Sequence, residues 1–309
     1  MPVAPAVAMP KLPRSVRRDV LLLGAGGLIA VAFAALHGHW DALCQACARI
    51  GPYGLLPALG LTLLNLQLRF ARWQLYLRAQ GHALPRLLHQ LMFVAGFAFA
   101  LTPAGAGDAS RALLLRRRGV RYAHSAAALL SERVSDLLVL LLLAALLHGW
   151  LLAAALGTAA LALSATPLAR WRGWPRSVRR LLRQTRRCLA PRLLLRASVL
   201  GIAAWGAEAL AFHAIGLRLG LTLPLSLAAG VYALSLLAGA LSIAPGGVGG
   251  VELAMVALLM GCGASLPDAL AVTLLTRVAT LWFTVALGGA ALASLRLAHS
   301  GLDAAVARA

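Results

Sequence analysis

Five of the nine acidic residues, Asp108, Glu132, Asp136, Glu208 and Glu252, lie in or beside long apolar runs, as do Arg111, Arg133 and Arg277. Charge at bilayer depth is costly and marks a functional site by default. Three kinds of chemistry are open to such a set: ion pairing, recognition of an anionic group, and proton transfer. Glu132 and Asp136 are four residues apart and share a helix face. Two carboxylates there repel unless arginines neutralise them or one carries a proton. Arg111 follows Asp108 by three residues, the spacing of an intrahelical pair. For Arg133 and Arg277 two readings stand side by side, an internal ion pair or a bidentate grip on a ligand phosphate. Asp108 and Glu252 closely follow glycine-rich loops, where a carboxylate caps free amides and meets the positive end of a helix dipole. Arg69 and Arg72, with Asn65 and Gln67, stud an earlier span, and their side chains are expected to extend toward the cytoplasmic surface.

The elements that must hold these residues are apolar. Of 309 residues 61% are hydrophobic before the 30 glycines are counted, and 12% are charged. Soluble domains reach ~45–50% apolar with glycine included, so a water-soluble globule is excluded. The net charge of +20 falls in blocks between apolar runs, with ten arginines within residues 170–196. That is the layout of positive-inside loops, and no nucleic-acid partner is expected. The sequence offers no nucleotide loop, no metal-spacing histidines and no Ser-His-Asp order, so neither cofactor nor metal is expected. Cys44 and Cys47 form a CxxC, and Cys188 and Cys262 stand alone. Four such scattered cysteines make neither a disulfide framework nor a zinc site. His37, His39 and His82 fall near span ends, as do Trp40, Trp73, Trp150, Trp171 and Trp174, which read as an interfacial belt.

Runs long enough to cross, at ~20 residues each, occur near 20–37, 52–77, 122–148, 150–167, 197–219 and 268–296. The first is read as an uncleaved span rather than a signal peptide. Two more apolar regions, 87–118 and 225–263, are interrupted by Pro103, Gly105 and Gly107 in one and by Pro245, Gly246, Gly247, Gly249 and Gly250 in the other. Full crossings there would put Arg116 and Arg121 on the opposite side from Arg72 and Arg86, against the positive-inside tendency, so both regions read as re-entrant hairpins. Both termini are then cytoplasmic. The expected fold is an all-α integral membrane protein of about six transmembrane helices plus two broken re-entrant hairpins.

The chain also repeats itself. Gly81-His82-Ala83-Leu84-Pro85 parallels Gly220-Leu221-Thr222-Leu223-Pro224. The loop at Pro103, Gly105 and Gly107 parallels Pro245, Gly247 and Gly249, and Arg133 falls opposite Arg277. One polytopic domain, 1–309, thus holds repeat one at about 52–148 and repeat two at about 197–296, joined by a basic cytoplasmic loop at about 168–196. Three crossings separate the hairpins, so the repeats are inverted. That architecture recurs in transporters, where the broken backbone lines protein or a watery cavity.

These motifs resemble those of the lysylphosphatidylglycerol synthase transmembrane region, or flippase-like, family. The carriers are Leu68-Arg69-Phe70-Ala71-Arg72-Trp73, Leu101-Thr102-Pro103-Ala104-Gly105-Ala106-Gly107-Asp108-Ala109-Ser110-Arg111, Ser131-Glu132-Arg133-Val134-Ser135-Asp136-Leu137, and Ala244-Pro245-Gly246-Gly247-Val248-Gly249-Gly250-Val251-Glu252 with Arg277. The resemblance implies a bacterial inner-membrane protein that moves a lipid or lipid-linked molecule between leaflets. Two-domain members carry a synthase domain after the membrane part. This chain ends at Ala309, so lipid aminoacylation is not carried over. A stand-alone branch is associated with hopanoid biosynthesis, and the motifs do not separate it. The expected function is lipid translocation, with membrane lipids and lipid-biosynthesis enzymes as partners. The alternatives are a non-transporting member of a lipid-synthesis complex and an intramembrane lipid-modifying transferase using Glu132 or Asp136 as base.

Overall fold

The structure, a computed structural model, describes residues 45, 48–51, 53–101, 106–148, 157, 175–242 and 245–306. Among the described residues every regular element is helical. Of the spans expected at 20–37 and 150–167, only Gly157 is among the described residues. His37, His39, Cys44, Cys47, Trp40, Trp150, Trp171 and Trp174, and Pro103 and Gly105 of the first loop, lie outside them. For Gly107, Asp108 and Pro245 only the backbone is described.

The helices run in this order: α1 (Leu56–Ala79), α2 (Arg86–Ala95) extended by a 3-10 turn (Gly96–Phe99), α3 (Ala106–Arg116), α4 (Tyr122–His148), α5 (Arg176–Cys188), α6 (Pro191–Arg218), α7 (Leu225–Leu241), α8 (Gly250–Gly261), α9 (Leu266–Arg277), a π-turn (Val278–Trp282) and α10 (Phe283–Val306). Proline starts most of them. Pro57, Pro191 and Pro267 occupy the first or second helical position, and Pro85, Pro175 and Pro224 are N-caps. Proline lacks the N–H that would be orphaned there and brings a helix-compatible φ.

The repeated Gly-x-x-x-Pro unit is a stop-and-restart device. Gly81 (φ 83°) and Gly220 (φ 92°) end α1 and α6 in the left-handed region. The following amides, of His82 and Leu221, each reach back 2.9 Å to the carbonyls of Leu77 and Gly216. The proline then caps α2 or α7.

At 1.5 Å per residue α1 and α4, with 24 and 27 residues, are about 36 and 40 Å long, more than the ~30 Å apolar core of a bilayer. Both carry charge mid-helix. Pro191–Arg218 and Leu266–Leu297 are long and apolar enough to cross by length and composition. By contrast α7 and α8, with 17 and 12 residues, reach only about 26 and 18 Å.

The most extensive helix pair joins α1 to α6. Lipid tails are as apolar as leucine, so close packing and hydrogen bonds hold such helices together rather than the hydrophobic effect. Small residues Ala197, Gly201 and Ala204 are buried on α6, and Asn65 of α1 donates to the carbonyl of Ala204 at 2.9 Å. Two packings are reciprocal: α4 lies on α7, and α10 lies on α2 and its 3-10 turn. One apolar cluster gathers Phe70, Trp73, Tyr76, Phe93 and Phe97; a second gathers Phe212, Tyr232, Met255 and Val272.

One expectation is corrected here. Trp73 is buried against Phe93 rather than interfacial, because the chain behind it turns α2 onto that face. Within the basic segment 168–196, α5 occupies Arg176–Cys188 and α6 starts at Pro191. α5 docks through Thr185 and Cys188; Gln80 Nε2 donates to Cys188 Sγ at 3.1 Å, and burial pushes that thiol up from its ordinary pKa. His82, just beyond the end of α1, places Nε2 2.6 Å from His124 Nδ1.

At Gly288 two elements approach closely. A Cβ there would fall 2.7 Å from the carbonyl carbon of Phe97 and closer still to the Ala98 amide. Backbone on the far side yields little, so Gly288→Ala is expected to cost ~1–3 kcal/mol. Thermal unfolding in detergent checks this, and an unchanged Tm would mean that α10 does not seat on the 3-10 turn this closely.

Candidate functional site

Arg69, Arg72, Trp73 and Tyr76 recur on α1 at helical spacing and are all buried. Facing them, α4 presents Ser131, Glu132, Ser135 and Asp136, also buried. Arg72 is fully buried, with Nη2 2.6 Å from Asp136 Oδ1 and 3.5 Å from Glu132 Oε1, and Nη1 donating to Ser135 Oγ at 3.4 Å. Arg69 Nη2 meets the same Glu132 oxygen at 3.3 Å. From α3, Arg111 brings Nη1 to 3.7 Å from Glu132 Oε2. From α6, Trp205 donates its indole N–H to Asp136 Oδ1 at 2.8 Å.

Aromatic faces complete the surroundings. The guanidinium carbon of Arg111 lies 4.4 Å from the ring centres of both Phe93 and Phe97, and that of Arg69 lies 5.2 Å from Phe97 and 5.3 Å from Trp205. Desolvated cation–π contacts are worth ~2 kcal/mol or more. Gly201 makes room, since a Cβ there would stand 3.0 Å from Arg72 Nη1. The Nε donors of Arg69 and Arg72 and the second oxygens of Glu132 and Asp136 have no hydrogen-bond partner among the described residues.

A second cluster forms where α8 leaves the glycine loop. Gly246, Gly247 and Gly249 all have positive φ. Glu252 accepts the Gly249 amide at 2.7 Å and pairs with Arg277 Nε at 2.6 Å, while Arg277 Nη2 donates to the Gly246 carbonyl at 2.9 Å. Arg277 thus holds both the loop backbone and the carboxylate that caps it. Directly after it, the backbone widens into the π-turn, a feature common at functional sites. Between the clusters on α6, buried Glu208 accepts from Tyr232 Oη at 2.6 Å and lies within electrostatic range of Arg69 and Arg277.

The arrangement changes the sequence reading at several points. Arg69 and Arg72 do not extend to the surface; they are the cations that neutralise Glu132 and Asp136. Arg133 and Arg277 are not equivalent. Arg133 is exposed, whereas Arg277 is buried and the exposed residue of its stretch is Val278. In burial pattern Arg277 therefore matches Glu132, one position off the sequence alignment. Arg111 meets Glu132, and the Asp108 side chain that sequence spacing offered it is outside the description. Trp205 and Tyr232 carry no sequence signal of this role, since aromatics in apolar runs read as packing. For Arg69 and Arg72 a signal existed: spacing of three on one helix against four on another, with opposite charge.

Among the described residues no group of His, Cys, Asp and Glu is arranged to hold a metal ion. What the site offers is guanidinium forks and carboxylates in a dry, aromatic setting, suited to binding an anionic group or exchanging ion pairs.

An all-α chain with membrane-length apolar helices and charge buried between them defines an integral membrane protein. Over residues 20–288 the sequence matches the family described as lysylphosphatidylglycerol synthase TM region. The chain belongs to that family, which places it in lipid-related membrane processes. No curated protein matches it.

Removing one member of a buried pair leaves its partner charged and uncompensated, at a cost of ~3–5 kcal/mol. Glu132→Gln is expected to lose that much, because three arginines face it. Arg133→Gln, next in sequence but exposed, is expected to cost under about 1 kcal/mol. Detergent unfolding of the two variants checks the contrast; equal losses would refute the burial difference.

Proposed function

We propose that the chain is a translocase that moves a lipid or lipid-linked amphiphile with an anionic head between the leaflets of a bacterial inner membrane. Family membership supports the lipid. The observation that carries the reading is the buried convergence of Arg69, Arg72 and Arg111 on Glu132 and Asp136, with the Nε donors of Arg69 and Arg72 left over. An anionic head entering there meets forks already oriented, and Glu132 and Asp136 are the partners it displaces.

In this reading the short helices α7 and α8, and α2 and α3, are re-entrant hairpins that enter and leave on one side. With the spans at 20–37 and 150–167 and the helices α1, α4, α6 and α9–α10, the chain crosses six times with both termini cytoplasmic. The reciprocal packing of α4 on α7 and of α10 on α2 supports an inverted pair, each repeat laying its last helix on the other's first half-hairpin. The head passes between the hairpins while the tails stay in lipid. Arg277, Glu252 and the loop at Gly246–Gly250 form the second station. Arg277 releases Glu252 as it takes the head, and the capped loop moves with it. Asp108, next to Pro103, Gly105 and Gly107, serves the corresponding place in repeat one. Lipid-biosynthesis enzymes are the expected protein partners.

Purified chain in liposomes with a fluorescent anionic phospholipid tests this by chemical quenching of the outer leaflet. Quenching well beyond half is expected. Arg277→Gln is expected to slow it at least about tenfold, the loss of one charge-assisted contact, while still inserting as a monodisperse protein. Undiminished transport by Arg277→Gln and Arg69→Gln would overturn the reading. Quenching held at half, with turnover of a labelled lipid, would favour the transferase; with a fixed co-purifying enzyme, the non-transporting partner.

A further inference from the structure

Away from both ionic clusters, a cleft of about 540 Å3 opens between the start of α4 and α5. Arg121, His124, Arg180, Arg183, Arg186 and Arg187 line it, and its two other lining residues are neutral. All five arginines are exposed.

Three observations go beyond a generally basic loop. First, the arginines face one concavity from two helices rather than spreading over a surface. Arg180, Arg183 and Arg187 recur at the spacing of a single helix face, where like charges repel one another. Second, that face is fixed in place. α5 is anchored on its opposite side by buried Thr185 and Cys188, and Gln80 of the α1 end holds Cys188 Sγ. Third, His124 is held by its partner. Its Nδ1 is 2.6 Å from His82 Nε2, so Nε2 is the ring atom that remains for the cleft.

No lining residue offers a negative charge. The volume falls within the ~300–1,000 Å3 of small-molecule sites, more than a single phosphate fills. Guanidinium forks match phosphate oxygens bidentately.

We infer that the cleft between α4 and α5 is a binding site for an anion carrying more than one phosphate charge, either a soluble diphosphate-type compound or a phosphomonoester-bearing lipid headgroup. The inference is independent of translocation, since none of these arginines belongs to the two buried clusters.

The test uses the full chain and two probes. Inorganic pyrophosphate is titrated calorimetrically into the protein in detergent, and thermal stability is compared in nanodiscs of phosphatidylcholine with and without phosphatidic acid. The double variant R183Q/R187Q removes two forks from exposed positions; R192Q/R196Q removes two exposed arginines outside the cleft and is the charge-matched control.

Pyrophosphate binding weakened about tenfold or more by R183Q/R187Q, and by no more than about twofold by R192Q/R196Q, assigns the soluble source. No heat with pyrophosphate, but stabilisation by phosphatidic acid that R183Q/R187Q loses and the control keeps, assigns the headgroup. Binding to neither probe overturns the inference. So does binding that survives R183Q/R187Q, or that both variants weaken equally, which would reduce the cleft to unspecific positive charge.

Discussion

The structure depends most on how Arg72 is accommodated. A fully buried guanidinium brings a desolvation cost of several kcal/mol that only close, well-placed acceptors offset. Asp136 at 2.6 Å, Glu132 and Ser135 are those acceptors, and all three are on α4. The requirement fixes the rotation and register of α1 against α4. Trp205, by donating to Asp136, brings α6 to the same point, and Gly201 lets α6 approach without striking Arg72. Three helices are thus held by one set of charges, and α3 joins through Arg111. Apolar packing alone would leave these helices free to slide, since lipid-exposed and helix-facing leucines are nearly equivalent in energy.

Arginine suits this role better than lysine would. Its planar fork engages two carboxylates at once, and its faces stack on rings. Arg72 uses the first property, meeting Asp136 and Glu132, and Arg111 the second, with its head at Glu132 and its plane near Phe93 and Phe97. Its stem also fills the space beside Gly96, where even a Cβ would collide with it. The aromatics therefore do not merely line the charges. They occupy the sides of the guanidinium groups that carboxylates leave open, and they keep lipid and water from competing there.

What could be read from the sequence follows from what is local. Apolar length marks α1, α4, α6 and α9–α10, and Pro and Gly mark the stops, because each depends on the residue itself. The Gly81 and Gly220 units were legible as repeats, and the structure adds the reason: one left-handed glycine and one capping proline. Glu252 as a loop cap was likewise local. What failed needed a partner from elsewhere. Arg69 and Arg72 look like surface-seeking side chains until α4 is set against them. Trp73 looks interfacial until α2 folds back. α5 was hidden by its arginines, which erase the apolar signal while leaving helix propensity intact. The unequal burial of Arg133 and Arg277 could not be seen at all, since a one-residue shift beside a π-turn leaves the motif unchanged while rotating the side chain to another face.

The two clusters differ in what they are tied to, and that difference bears on movement. Around Arg72 the contacts run between side chains of the long, continuous helices α1, α4 and α6, with Arg111 reaching in from the shorter α3, so separating them means moving whole helices. Arg277 instead grips a carbonyl of the glycine loop and, through Glu252, an amide of the same loop. Gly246, Gly247 and Gly249 already occupy conformations closed to most residues, and glycine changes between such conformations at little steric cost. A ligand that drew Arg277 away from Glu252 would free both ends of that loop together. Of the two stations proposed for an anionic head, the one at Arg277 is therefore built to yield, and the one at Arg72 to serve as the fixed frame against which it moves.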